Sequence, residues 1–255
     1  MTPPVAPPVP LTGRLILAHG FTQTARSWDR FVELLVERGF APGSLQAVDL
    51  AGHGAASDVT ATLWQSADQL VDAGGNGTYV GYSMGGRVAL HAALAHPDRV
   101  ERLVLIGATP GIVDDGERDE RRAADDRLAD HIEAVGVDQF VDEWLANPLF
   151  AGLDAETAMR SDRLRNTTAG LASSLRNAGT GTQQPLWDRL GEIRCPVLLL
   201  VGSDDVKFAS IAEHMAEHLP GATVDVVDRS GHSAHLEQPQ ATVDALLGWL
   251  GHAPV

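Results

Sequence analysis

The stretch Gly81-Tyr82-Ser83-Met84-Gly85 constrains the fold of this chain more than any other. A short apolar run, residues 78–82, enters it, and a segment with helical spacing, residues 84–95, leaves it through Gly85-Gly86. A strand that turns straight into a helix forces the residue between them onto a sharp, strained corner. Side chains flanking that corner would clash, and glycine at both flanks removes the clash. The corner lifts the Ser83 hydroxyl above the sheet edge, beside a helix N-terminus that favours negative charge. Gly-x-Ser-x-Gly alone arises by chance; between a strand and a helix it predicts an activated nucleophile.

Further apolar runs at 15–18, 45–50, 103–106, 197–201 and 224–227 read as strands. Those at 103–106 and 197–201 are continuously apolar, as expected of strands covered on both faces. Helical spacing falls at 27–37, where Trp28, Phe31, Leu34 and Leu35 form one stripe ended by Gly39, and at 61–72 and 240–250. Strands alternating with helices imply β-α-β units and a doubly wound, mostly parallel sheet of the α/β class. Residues 113–188 break this rhythm: they look helical, are rich in Arg and Asp, and show no clear strand. Such an insertion between two strands is most simply a cap over the C-terminal edge of the sheet, where open α/β sheets bind ligands. The expected division is a core of residues 1–112 and 189–255, with the helical cap 113–188 inserted in it.

A serine hydroxyl needs a base, and in this architecture the order along the chain is Ser, acid, His. His232, in Ser230-Gly231-His232, follows the last apolar run and stands where the base belongs; His235 is its rival. The loop after 197–201 offers Asp204 and Asp205 as the acid that orients the imidazole, and spacing alone does not separate them. His19-Gly20-Phe21 follows the first strand, so the amides of Phe21 and Met84 are the expected oxyanion donors. His19 and His53 read as structural. His232 and His235 have no further ligand set at metal spacing, and GxxxxGK[ST] is absent, so neither a metal nor another cofactor is expected.

Composition narrows the partners. The net charge of −15 argues against nucleic acid and anionic membrane surfaces. Lys207 is the single lysine, so every other strong cation is an arginine, the forked donor suited to carboxylates. Cys195 stands alone and reads as a small hydrophobe. No apolar segment is long enough to span a bilayer. The Pro-rich start, residues 2–10, lacks the features of a signal peptide and reads as an extended lead-in, which makes a cytoplasmic location the expectation.

From about Arg14 to Leu250 the chain resembles the α/β-hydrolase superfamily. Within it, several stretches resemble the menaquinone-pathway synthase that eliminates pyruvate to give 2-succinyl-6-hydroxy-2,4-cyclohexadiene-1-carboxylate (SHCHC). These are His19-Gly20-Phe21-Thr22, the run from Gly81 to Arg87, and Arg121-Arg122 before Asp125. They continue with Trp144 and Pro148-Leu149-Phe150, residues 171–183, Asp205-Val206-Lys207-Phe208, and the run from Gly231 to His235. The resemblance implies that the acid is Asp205. It also implies that Arg87, Arg121 and Arg163 bind substrate carboxylates, with Tyr82 and Trp144 lining the pocket. Arg122 and Arg165 are the neighbouring alternatives. The chain departs from the resemblance at Gln23, where glycine is usual, and at Ala51, where proline is usual. The implied activity is a carbon–oxygen lyase acting on a small carboxylated molecule without a cofactor. A serine hydrolase of an ester or carbon–carbon bond would use the same triad, and a non-catalytic binding protein of this fold would have no need of it.

Overall fold

A computed structural model of the chain describes residues 13–251; the Pro-rich lead-in lies outside the described residues. The strands are β1 (Leu15–Ala18), β2 (Leu45–Val48), β3 (Gly77–Tyr82), β4 (Val100–Ile106), β5 (Val197–Gly202) and β6 (Thr223–Val227). The helices are α1 (Asp29–Glu37), α2 (Leu63–Gly74), α3 (Met84–Ala95), α4 (Asp115–Leu145), α5 (Arg160–Arg163), α6 (Thr168–Ala178), α7 (Val206–His218), α8 (Ala234–Glu237) and α9 (Pro239–Trp249). The six strands form one sheet in the order β2-β1-β3-β4-β5-β6, and every pairing is parallel. The expectation of a mostly parallel sheet therefore holds without an antiparallel member among the described residues.

Successive side chains of a strand point to opposite faces, and the two cores follow that rule. Ile16, Tyr79, Leu103, Leu105 and Leu199 pack on one face with α2, α3 and α7. Leu15, Leu17, Val80, Val104 and Leu198 pack on the other with Trp28 and with α1 and α9. Burying each of these aliphatic side chains contributes roughly 1.5–3 kcal/mol, so the central strands are the rigid floor of the molecule. β1 pairs with β2 on one side and β3 on the other, so the chain reverses direction across the sheet between β1 and β3. That switch point opens a crevice at the carboxyl ends of the strands.

Local signals set the helix boundaries. Before α2, Thr62 accepts from the Gln65 amide at 3.3 Å and Gln65 Oε1 accepts from the Thr62 amide at 2.9 Å, a reciprocal cap that starts the helix at Leu63 rather than 61. Ahead of α1, residues Ala25–Trp28 form a 3₁₀ turn. Helix α7 is absent from the sequence reading, although Phe208, Ile211, Ala212 and Met215 fall at helical spacing; only Ala212 and Met215 of its thirteen residues are buried, and the rest of that stripe is half-buried. Between β4 and β5, α4 and α6 have a small core of their own, with Ala129, Ile132 and Phe140 against Leu171, Ala172 and Leu175. Gly136, at φ 79° and ψ 170°, breaks α4 in two.

Candidate active site

Ser83 sits between β3 and α3 at φ 51° and ψ −109°, a conformation that non-glycine residues rarely adopt. Its amide donates to the Ile106 carbonyl at 2.9 Å, and its side chain makes no helix-capping bond, which leaves Oγ free. A Cβ on Gly81 would lie 2.4 Å from the Gly85 carbonyl oxygen, and one on Gly85 would lie 2.1 Å from that of Ala18. Both flanking glycines are therefore steric requirements, and the start of α3 is drawn against the end of β1.

The loops after β5 and β6 bring two further groups to this corner. His232 Nε2 lies 3.1 Å from Ser83 Oγ, and its Nδ1 lies 2.7 Å from Asp205 Oδ2. With the proton on Nδ1 donated to Asp205, Nε2 is the acceptor for the serine hydroxyl. Asp205 is also the N-cap of α7: its Oδ1 accepts from the Phe208 amide at 3.3 Å. The cap fixes the carboxylate, and the Phe208 ring packs 4.4 Å from the imidazole. Asp204 is exposed and accepts from the Ser203 hydroxyl at 3.1 Å instead. His235 is sealed between Trp28 and Tyr82, 4.5 and 4.3 Å from their rings, and neither of its nitrogens has a partner among the described residues. Burial pushes it down to about 3, so it is neutral.

The other loop histidines are engaged elsewhere. His19 Nε2 accepts from the Leu50 amide at 3.0 Å and His53 Nε2 from the Thr22 amide at 3.3 Å, while each Nδ1 donates to a carbonyl. Burial lowers both, His53 to about 3. They brace the loop that carries Phe21. The amides of Phe21 and Met84 donate no hydrogen bond within the described residues.

A cavity of about 1080 Å³ opens above these groups. Ser83, His232 and Gly107 line its floor; Leu128, Trp144 and Arg163, from the helices between β4 and β5, line its roof. Arg87, in the first turn of α3, is 7% exposed, and its guanidinium donates only to the Gly179 carbonyl at 3.3 Å and Gln183 Oε1 at 3.4 Å among the described residues. Burial, reinforced by Arg121 and opposed by Asp125, lowers it to about 10. Arg163 is fully buried. Its Nε donates to the Ala158 carbonyl at 2.8 Å and its Nη1 to the Thr22 hydroxyl, while Nη2 has no partner among the described residues. Burial lowers it too, although Tyr82 and Asp162 oppose the shift. Neither Arg87 nor Arg163 forms an ion pair among the described residues. Arg121 does: its Nε donates to Asp125 at 2.8 Å, and its side chain is 44% exposed.

Of the neighbouring arginines, Arg122 faces a separate shallow groove beside Trp64 and His91, and Arg165 is half exposed at 3.8 Å from Asp162. The Trp144 ring lies 5.3 Å from Phe21 and 5.6 Å from Phe150, with its indole nitrogen unpartnered among the described residues. Tyr82 forms a 2.7 Å bond with the Ser233 hydroxyl, and burial pushes its phenol up, so it stays protonated. Gln23 lines the cavity as well: its Oε1 accepts from the Gly20 amide at 3.1 Å, and its buried Nε2 has no partner among the described residues. The sequence marks Gln23 only as a departure. Asp125, which accepts from both Arg121 and the Gly181 amide, enters the sequence reading only as the residue that Arg121-Arg122 precede, with no role of its own.

The family model described as "Alpha/beta hydrolase family" matches residues 15–245, and the chain belongs to that family. It is an enzyme of this fold. A Salmonella newport (strain SL254) protein named 2-succinyl-6-hydroxy-2,4-cyclohexadiene-1-carboxylate synthase is 31% identical over 252 residues, 94% of each chain. A Bacillus subtilis (strain 168) protein, provisionally given the same name, is 37% identical over 240 residues, 89% of this chain and 86% of the relative. The solved structure of MenH from S. aureus superposes with a TM-score of 0.86 at 32% identity, covering 96% of this chain and 95% of that one. No helix of the described residues is long and apolar enough to cross a membrane.

Proposed function

We propose that this enzyme is a lyase of menaquinone biosynthesis, releasing pyruvate from an enolpyruvyl cyclohexene carboxylate to give SHCHC. The observation that carries the reading is the pair Arg87 and Arg163: two guanidinium groups buried on one cavity with no carboxylate of their own. An isolated buried charge is costly unless something compensates it. A substrate bearing several carboxylates supplies that compensation; an apolar ester does not. The names of the relatives above agree with this chemistry.

In this mechanism His232, oriented by Asp205, takes the proton of Ser83. The Ser83 alkoxide removes the ring proton next to the succinyl ketone. Charge moves onto the ketone oxygen, where the amides of Phe21 and Met84 hold it as an enolate. As the ring diene forms, the bond from ring carbon to enolpyruvyl oxygen breaks, and the departing enolate takes a proton from the His232 imidazolium to become pyruvate. An enolate needs the same oxyanion stabilisation as a tetrahedral intermediate, so the hydrolase apparatus serves for proton abstraction. Arg87, Arg121 and Arg163 hold carboxylates, Tyr82 and Trp144 shape the pocket, and residues 113–188 act as the cap that closes it. No step calls for a metal or cofactor.

A coupled pyruvate assay on the purified protein with the enolpyruvyl intermediate tests the reading. Fast release by the wild type and none by Ser83→Ala supports it. No release, together with turnover of simple esters, overturns it in favour of a serine hydrolase with Ser83 as nucleophile.

A further inference from the structure

We propose that His214, Glu217 and His218 form a surface binding site for a divalent transition-metal ion of the zinc class. The three lie at positions i, i+3 and i+4 of α7, which places them on one face of the helix. All are exposed, and one ligand atom from each lies within 4.8 Å of the others.

The local geometry suits an ion. His214 Nδ1 and Glu217 Oε2 are 3.1 Å apart. With bonds of about 2.0–2.2 Å to zinc, two neighbouring ligand atoms of a tetrahedral site stand roughly 3.3 Å apart, so this pair already has the spacing. The ion takes the place of the proton between them. His218 donates its Nδ1–H to the His214 carbonyl at 3.0 Å, which fixes its tautomer and leaves the Nε2 lone pair for the ion. A backbone carbonyl behind the ring is the usual support of a metal-bound histidine. The Trp187 ring packs 4.6 Å from the His214 ring and 5.8 Å from the His218 ring, limiting the rotamers of both. The ligand atoms, within 4.8 Å of one another, close to coordination distance by small shifts of exposed side chains.

A plainer account exists for part of the cluster. Histidine near a helix C-terminus interacts favourably with the last carbonyls. That explains the Nδ1 bond of His218. It does not explain why a second imidazole and a carboxylate share the same spot under one indole. The donor set of two imidazoles and one carboxylate selects zinc, nickel or copper over magnesium and calcium. The fourth position is open to water.

The absence of metal ligands argued for His232 and His235 concerns the cavity; this cluster lies elsewhere. It sits nine residues along α7 from Asp205, about 14 Å at the helical rise, so the ion takes no part in proton transfer at Ser83. Metal binding there is independent of the reaction at Ser83.

Isothermal titration of the full-length protein, carrying no polyhistidine tag, with zinc chloride tests it. The expected result is saturable binding of one equivalent. His218→Ala and Glu217→Gln should each weaken it at least about tenfold, the scale of loss when a support of a metal site is removed. Copper should quench part of the tryptophan emission, and Trp187→Phe should abolish that part. No binding up to millimolar zinc overturns the site. So does binding unchanged in both variants, which would move the ion to other residues. Far-ultraviolet circular dichroism of each variant separates loss of binding from loss of fold.

Discussion

Replacing Asp205 by Asn changes one atom at the centre of the site, and its effect can be worked out from two hydrogen bonds. Asp205 Oδ1 accepts from the Phe208 amide, and Oδ2 accepts from His232 Nδ1. In the variant the Phe208 amide still demands an acceptor, so the amide oxygen takes that position and Nδ2 faces the imidazole. Nδ2 is a donor, so Nδ1 must become the acceptor and the ring proton moves to Nε2. Nε2 then points a donor at Ser83 Oγ, 3.1 Å away, and cannot take the hydroxyl proton. The same inversion in a serine protease costs ~10⁴-fold in kcat, about 5 kcal/mol of barrier. Asp204→Asn, on an exposed side chain bonded to Ser203, should leave the rate within about twofold. Steady-state pyruvate release by the two variants decides the matter. An Asp205→Asn enzyme keeping more than a tenth of the wild-type rate, or a reversed order of the two variants, would refute the assignment.

Arg87→Ala and Arg163→Ala should each lower kcat/KM by roughly 2–5 kcal/mol, because each leaves a desolvated substrate carboxylate unpaired, and Arg→Lys should not restore the fork; near-wild-type kinetics in both would remove them from binding. Arg121→Ala should cost less, since Asp125 already neutralises Arg121 and its side chain is 44% exposed. The buried neutral histidines give a pH dependence: His53 and His235 fall to about 3 in the fold and His91 to about 4, against about 6.5 unfolded. Between those limits the unfolded chain binds more protons, so stability is flat above pH 6.5 and lost as pH falls toward 3. At pH 5, His53 and His235 should each account for about 2 kcal/mol of that loss, and His235→Phe should flatten a plot of melting temperature against pH; an unchanged slope counts against the burial argument.

The core was legible because its signals are local. Strand β1 and helix α3 stand where apolar runs and helical spacing place them, and Gly81 and Gly85 announce the corner between β3 and α3. The loop after the last strand offers His232 as the candidate base, and the fold brings its Nε2 within 3.1 Å of Ser83 Oγ. The acid did not follow from spacing: Asp204 and Asp205 are adjacent, and only the turn of the loop, with Asp205 capping α7, makes one face inward. The arginines were less legible still. Arg87 and Arg163 come together through a cavity between elements far apart in sequence, and no periodicity encodes that. Gln23 escaped for the same reason: its unpartnered amide is a property of the folded loop, not of the residue.

The cavity above Ser83 concentrates costly features whatever reaction takes place there. Native structures keep a strained backbone or an uncompensated polar group only where the surroundings over-determine it, and such features gather at functional sites. Ser83 at φ 51° carries about 1–3 kcal/mol of strain. Arg87 and Arg163 are buried without a carboxylate, and Gln23 Nε2 and Trp144 Nε1 are buried without an acceptor among the described residues. All five residues line the same cavity; outside its lining, Trp28 and His235 also hold buried nitrogens unpartnered among the described residues, and Thr22, Met159 and Arg229 also have positive φ. One consequence is that removing these features should raise stability while removing activity. Glycine accepts the Ser83 backbone angles without strain but adds entropy to the unfolded chain, roughly 0.5–1 kcal/mol. Ser83→Gly should therefore stabilise by about 1 kcal/mol, a rise of roughly 2–4 °C in melting temperature for a chain of this size, whereas Ser83→Ala keeps the strain and gains nothing. Both variants should be inactive. Calorimetry showing Ser83→Gly less stable than Ser83→Ala would mean that the corner is relaxed, and would take away the claim that this fold stores strain at Ser83.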